Sequence, residues 1–211
     1  MLPNILGYCI CREVEAVPDK YHKEEVYLRP LLKSDLQKMA TWDQDEELGY
    51  FFGLDVDDSG SSYADRCAAL LEKPNHRLWA IEVGEIGFIG EVELSQICWR
   101  AREAELKICI GDPAYRGRGF GTRALKLTLN IAFTRLKLER VYLRVYHYNT
   151  RALQCYLRCG FKKEAVLRNR RRFGGQNRDI YLMYIDCHSF NKERSNFTPI
   201  PSIDNRLVSS L

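Results

Sequence analysis

The chain has 211 residues, 45% of them hydrophobic and 28% charged, with a formal net charge of +4. That length suits one domain with a core of its own, and the composition is that of a globular protein. The charge is too small to argue for nucleic-acid binding, and no apolar run approaches the roughly 20 residues that span a bilayer.

The start, "MLPNILGYCICREVEAVPDK", has a short apolar patch but no basic leader and no small-residue cleavage site, and acids follow at once. It reads as an N-terminal extension over 1–23 of a cytoplasmic protein. "EEVYLRPLL" alternates like a strand and leads into "SDLQKMATW", where Ser34 and Gln37 have capping-box spacing. An acid-rich segment over 43–47 follows, then "GLDVDDSGSS", a loop, and a short helix over 62–72. "RLWAIEVGEIGFIGEVELSQI" reads as two strands around a tight turn at Gly84. Residues 104–110 alternate, with Leu106, Ile108 and Ile110 on one face and Glu105, Lys107 and Cys109 on the other.

After a glycine-rich loop comes a helix with an apolar surface wide enough to pack on two sides. "RVYLRVY" is the next strand, and "NTRALQCYLRCGF" is a helix with Gly160 as its C-terminal stop. A last hairpin turns at Gly174–Gly175, and its first strand carries Arg168, Arg170 and Arg172 on one face, a solvated edge that deters aggregation. The polar tail over 188–211 reads as extended or disordered. This order predicts an α/β domain over 24–187, with a mixed central sheet and helices on both faces. Among the eight cysteines there is no C-x-x-C pair, and the four histidines do not cluster near a thiol. The spacing predicts no metal site and favours small apolar core thiols.

The segment that carries chemistry is "YRGRGFGTRAL". A dinucleotide fingerprint needs G-x-G-x-x-G, but Thr122 stands where the third glycine should be; a P-loop needs a Lys-Ser/Thr pair after its glycines, and none follows here. The pattern that fits is R-x-x-G-x-G, filled by Arg116, Gly119 and Gly121. Glycines let backbone N–H groups and a helix N-terminus approach a pyrophosphate, and Arg116 and Arg118 can add charge-assisted bonds.

This segment and the later "NTRALQCYLRCGF" resemble the two central motifs of the GNAT superfamily of acetyl-CoA-dependent N-acetyltransferases, with the required helix and strand between them. The resemblance covers roughly 25–186 and is nearest to the branch of spermidine and ribosomal-protein N-terminal acetyltransferases. It implies an acyl-CoA acyltransferase fold with a splayed strand pair. Arg116, Gly117, Arg118, Gly119, Phe120, Gly121 and Thr122 would hold the coenzyme A pyrophosphate. Pantetheine would pair with exposed backbone at Ile108, Cys109 and Ile110 and contact Asn149.

The implied chemistry is direct attack of a neutral amine on a thioester, which needs an oxyanion donor, a base and an acid. A backbone N–H near Cys109 or Ile110 would serve the oxyanion. Tyr156 matches the family tyrosine that protonates the leaving thiolate. Glu105 stands where the family often places a substrate-side carboxylate and is the expected base, with Glu103 or a water chain as alternatives. Asp43, Glu46 and Glu47, with Asp45, Asp55, Asp57 and Asp58, would attract a cationic acceptor. The expected acceptor is a primary amine, a polyamine first; a protein N-terminus or an aminoglycoside is the alternative. A non-catalytic acyl-CoA- or RNA-binding module is the rival from another class. The resemblance calls for acetyl-CoA as co-substrate and no metal, and a homodimer is a further expectation.

Overall fold

A computed structural model describes residues 25–52, 62–173 and 176–194, and in it the alternating segments of the sequence form one seven-stranded sheet. The order along the chain is β1 (Val26–Pro30), α1 (Asp35–Trp42), α2 (Glu46–Phe52), α3 (Tyr63–Leu70), β2 (Arg77–Val83), β3 (Gly87–Cys98) and β4 (Glu103–Ile110). Then come α4 (Phe120–Asn130), β5 (Arg140–Tyr146), α5 (Thr150–Arg158), β6 (Lys162–Phe173), β7 (Gln176–Asp186) and α6 (Cys187–Arg194). The strands lie in the order β1-β2-β3-β4-β5-β7-β6, all antiparallel neighbours except the parallel pair β4–β5. The mixed sheet agrees with the expectation.

Each face has its own core. Leu106, Val92, Leu94, Val141, Leu143 and Val145 pack under α4, whose Phe120, Ala124, Leu125 and Leu129 are fully buried. The wide apolar surface of that helix continues into a π turn over Ile131–Arg135, closed by the Leu136 N–H donating to the Ile131 carbonyl at 3.0 Å. On the other face, Met39 and Trp42 of α1 and Ala64 and Cys67 of α3 cover Leu78, Ala80 and Phe88.

Local chemistry explains where sequence and structure part. At α1 the Ser34 side chain makes no cap bond; Asp35 accepts the Leu32 N–H at 2.8 Å instead, so the Ser34–Gln37 capping box does not form. A true box closes at α3, between Ser62 and Asp65. The acid-rich segment runs on into α2, started by Asp45 accepting the Leu48 N–H at 3.0 Å. The tail begins as a helix, neither extended nor disordered. Asp186 accepts the Ser189 N–H at 2.6 Å and Phe190 packs on Phe133 at 5.3 Å, which together start and dock α6. In β6 the register shifts between Leu167 and Arg171, with Asn169 at φ 51° donating its N–H to Asp179 at 3.0 Å. That bulge interrupts the alternation expected to align Arg168, Arg170 and Arg172, of which the last two side chains lie outside the described residues. The extension over 1–23, Asp55, Asp57 and Asp58, the Gly174–Gly175 turn and the tail beyond 194 also lie outside them.

Candidate active site

The site begins with a pairing that stops. β4 and β5 are in register only at Glu103–Arg140, Ala104–Val141 and Glu105–Tyr142. Beyond Glu105, β4 stays paired with β3 as far as Ile110, and β5 stays paired with β7 as far as Tyr146. The two strands therefore diverge and leave one edge of β4 open. The Gly111 N–H donates to the Ile89 carbonyl on the β3 side at 3.0 Å. Alternation along an antiparallel ladder turns the amides of Cys109 the same way and those of Ile108 and Ile110 toward the open edge. Of the three residues expected to pair with pantetheine, Ile108 and Ile110 turn toward the open edge, where the Ile110 carbonyl already accepts from Arg116, and Cys109 turns toward β3.

The glycine loop closes one end of this gap. Asp112 caps a turn by accepting the Ala114 N–H at 3.0 Å, and Pro113 opens that turn. Gly117 and Gly119 follow at φ 75° and 82°, in the left-handed region that side chains rarely adopt. A Cβ at either would meet nothing within 4 Å, so both face open space. Gly119 caps α4 without a side-chain bond, and the first helical hydrogen bond runs from the Arg123 N–H to the Gly119 carbonyl at 3.1 Å. The Gly121 and Thr122 amides ahead of it have no intrahelical acceptor, and the helix dipole adds positive charge there. Free amides and a helix N-terminus facing open space could hold a phosphate. The Phe120 ring is fully buried against Tyr115, so that residue offers backbone alone, and Arg118 is exposed.

Arg116 departs from its expected role. Its side chain is 5% exposed and its guanidinium is committed within the protein. It reaches Asp45 at 2.8 Å and Glu47 at 2.7 Å, and donates to the carbonyls of Ile110 at 2.8 Å and Gly111 at 2.5 Å. Glu47 also pairs with Arg151 of α5 at 3.0 Å. Burial opposes ionisation of Asp45 and Glu47, but the hydrogen bonds and charge of Arg116, joined by the Leu48 N–H at Asp45 and by Arg151 at Glu47, together outweigh it and hold both carboxyls below their usual range. Arg116 thus latches α2 to the loop rather than reaching for a phosphate. Gly111 makes room for the same junction, since a Cβ there would fall inside the Trp42 ring.

A cleft of about 710 Å³ runs through the splay. Its wall brings together Glu105, Ile108, Cys109, Ile110, Arg116, Gly117, Gly119, Gly121, Thr122, Asn149 and Tyr156, all singled out by the sequence. Tyr156 sits on α5, 7% exposed, and burial, then the neighbouring Cys155, Cys159 and Cys109 thiols, push its hydroxyl well above its ordinary value. Asn149 spends its Oδ1 on capping α5, accepting the Ala152 N–H at 3.0 Å.

On the opposite side of the sheet the cleft meets Glu105, Lys107, Arg144 and Tyr146, with Leu48 and Phe51 of α2. Glu105 is 2% exposed, and both of its oxygens accept: one from Arg144 Nε at 2.7 Å, the other from Arg144 Nη2 at 2.8 Å and Gln96 Nε2 at 2.9 Å. Gln96 reaches it because a bulge sets that residue at φ 50°. Along β3, Glu91 and Glu93 share this face and are 1% and 6% exposed, and Glu93 contacts His76 at 2.8 Å and Lys107 at 3.5 Å. Asp43 and Glu46 are exposed on the protein surface, while Glu47 is engaged by its two arginines; none of the three lines the cleft. The sequence reading missed the buried row. Its signal is the alternation of "GEVELS", which sets Glu91 and Glu93 on the face opposite Val92 and Leu94. It also missed α2, whose Tyr50 lies 4.5 Å from Tyr148 and accepts that hydroxyl at its carbonyl at 2.8 Å.

Comparison with known proteins agrees with this geometry. The spermidine N(1)-acetyltransferase of Escherichia coli K12 is 31% identical over 169 residues, covering 80% of this chain and 89% of that one. Its Vibrio cholerae counterpart is 35% identical over 109 residues, 52% of this chain and 62% of that one. The crystal structure of the Vibrio cholerae spermidine N-acetyltransferase in complex with CoA and spermine superposes with a TM-score of 0.71 at 26% identity, over 79% of this chain and 98% of that one. The family model described as an acetyltransferase (GNAT) domain matches residues 25–162. The chain belongs to the GNAT family and is an N-acetyltransferase.

Proposed function

We propose that the protein transfers the acetyl group of acetyl-CoA to a primary amine by direct attack in a ternary complex, with a small cationic amine of the polyamine class as acceptor. The observation that carries this reading is the continuity of one cleft from the glycine cradle, along the open edge of β4, to Tyr156 and on to the far face of the sheet. Coenzyme A supplies a pyrophosphate for the Gly117–Thr122 amides and an amide-bearing arm for the backbone of Ile108 and Ile110. An outward N–H of that edge is the donor for the tetrahedral oxyanion. Tyr156, protonated across the neutral range because burial disfavours its anion, gives its proton to the departing thiolate.

The cationic acceptor is supported by the spermidine acetyltransferases among the relatives and by Glu105, the carboxylate in the cleft wall. Glu105 orients and charges the acceptor side, and a water carries off the ammonium proton, because both oxygens of Glu105 are already engaged. Thiol release from acetyl-CoA against a panel of spermidine, spermine, a ribosomal N-terminal peptide and an aminoglycoside tests the reading, beside binding of labelled RNA. Turnover with a polyamine supports it. Turnover confined to the peptide or the aminoglycoside would replace the acceptor, and RNA binding without turnover would replace the activity.

A further inference from the structure

Strand β3 breaks its own alternation beside the site. Val92 and Leu94 face the α4 core, and Glu91, Glu93 and Ser95 fall on the opposite face. Continued alternation would turn Gln96 into the core and Ile97 out of it. The reverse is found. Ser95 pairs with Glu105 and Cys98 with Glu103, so Gln96 and Ile97 together stand opposite Ala104. This bulge keeps Ile97, 5% exposed, in the core with Leu94 and brings Gln96 Nε2 to Glu105 Oε2 at 2.9 Å. Burial of Ile97 accounts for the bulge. It does not account for a glutamine at φ 50°, exposed and in left-handed backbone that glycine or asparagine adopts at lower cost.

Glu105 shows what the amide does. A carboxylate has about four acceptor sites. Arg144 takes one on each oxygen and Gln96 a second on Oε2, so the site left open is on Oε1. The two anchors also come from opposite sides of the splay. Arg144 reaches over from β5 with a side chain 50% exposed, whereas Gln96 belongs to β3, the strand with which β4 is paired along its length.

We propose that Gln96 is a positioning residue for the acceptor amine. It ties the Glu105 carboxylate to the β3–β4 side of the splay, occupies Oε2, and leaves Oε1 as the atom that takes the substrate's ammonium group. Without it Arg144 alone sets the carboxylate, and the amine is held less firmly beside the thioester. The inference rests on the reading of Glu105 as the acceptor-side carboxylate.

The test compares wild type with Gln96→Asn and Gln96→Gly by thermal melts and by steady-state constants for acetyl-CoA and for spermidine, or the panel amine that replaces it. Both substitutions suit left-handed backbone, and both remove the contact with Glu105. The acceptor KM should rise about fivefold, the factor of one typical hydrogen bond, with the acetyl-CoA KM unchanged and Tm no more than about 2 °C lower. On the Glu105→Gln background the asparagine should add no further rise, because the carboxylate it serves is gone. An acceptor KM within about twofold of wild type in both variants overturns the proposal, and so does a rise of the same size on Glu105→Gln. Glu105→Gln alone separates the two readings. If it leaves the acceptor KM unchanged, the acceptor reading of Glu105 falls and the role of Gln96 with it. If it raises that KM and the Gln96 variants do not, the role of Gln96 falls by itself.

Discussion

Arg116→Ala should destabilise the fold before it touches the chemistry, by an amount the geometry allows to be worked out. The side chain is 5% exposed, and its loss strips a donor from Asp45, from Glu47 and from the carbonyls of Ile110 and Gly111. Removing one partner of a buried ion pair costs about 3–5 kcal/mol. Glu47 is 45% exposed and keeps Arg151 at 3.0 Å, so its share falls toward the surface range of about 0–1 kcal/mol. Asp45, at 19%, keeps most of the penalty. The expected loss is therefore near the low end, about 3 kcal/mol, which in a chain of this size lowers Tm by about 6–12 °C. Urea melts of Arg116→Ala, Asp45→Asn and the double variant should show a coupling of at least about 1 kcal/mol. Acid supplies a second arm. The folded-state values of Asp45 and Glu47 are depressed, so their contribution is complete above the unfolded carboxylate range, about 4, and is lost as pH falls through the lowered folded values. The variant should lose less stability than wild type over that acid window. A Tm within about 2 °C of wild type, or strict additivity in the cycle, would refute the latch.

Three further outcomes follow from the cleft. Gly119→Val forces a branched side chain into left-handed backbone and into the phosphate space, and should weaken acetyl-CoA binding about 30-fold, or about 2 kcal/mol, by calorimetry with the fold retained. Tyr156→Phe should lower kcat by about 10²- to 10⁴-fold with acetyl-CoA affinity little changed, and a rate within about threefold of wild type would return Tyr156 to a packing role. Because burial raises the Tyr156 hydroxyl, the wild-type kcat profile should show no falling limb from tyrosine ionisation up to about pH 10, where an ordinary tyrosine would titrate. Glu105→Gln should raise the acceptor KM more than it lowers kcat; a drop in kcat of about 10²-fold or more at unchanged KM would make Glu105 the base after all.

What the sequence disclosed was whatever depends on neighbours in the chain. The period of β4, the glycine run ahead of α4, the strand "RVYLRVY" and the stop at Gly160 are local patterns, and each lies where its spacing puts it. What it concealed depends on partners far along the chain. Arg116 and Glu47 are 69 residues apart, and only folding shows that the arginine of the loop is already occupied. Glu105 likewise meets Arg144 across 39 residues. Asp43, Glu46 and Glu47 drew notice because they cluster in sequence, whereas the buried carboxylates alternate with apolar residues on a strand and look like half of a solvated face. Helix α2 was hidden for a related reason: seven residues carry little periodicity, and its aromatic dock on Tyr148 is tertiary.

The parallel contact between β4 and β5 has a mechanical consequence. Among the described residues, three register pairs at Glu103–Glu105 are the whole backbone ladder between a leaf of four strands and a leaf of three, and the leaves part on one side of it. A ladder so short leaves the width of the gap to the packing around it, the α4 core on one face and the Glu105–Arg144 pair on the other. A ligand seated in the gap bridges both leaves and acts as a clasp. Amide hydrogen exchange should accordingly slow on coenzyme A binding at Ile108 and Ile110 and at the far end of β5, residues 143–146, while the ladder itself changes little. Acyl groups bulkier than acetyl would have to wedge the leaves apart, against this short ladder and the α4 core that both leaves share.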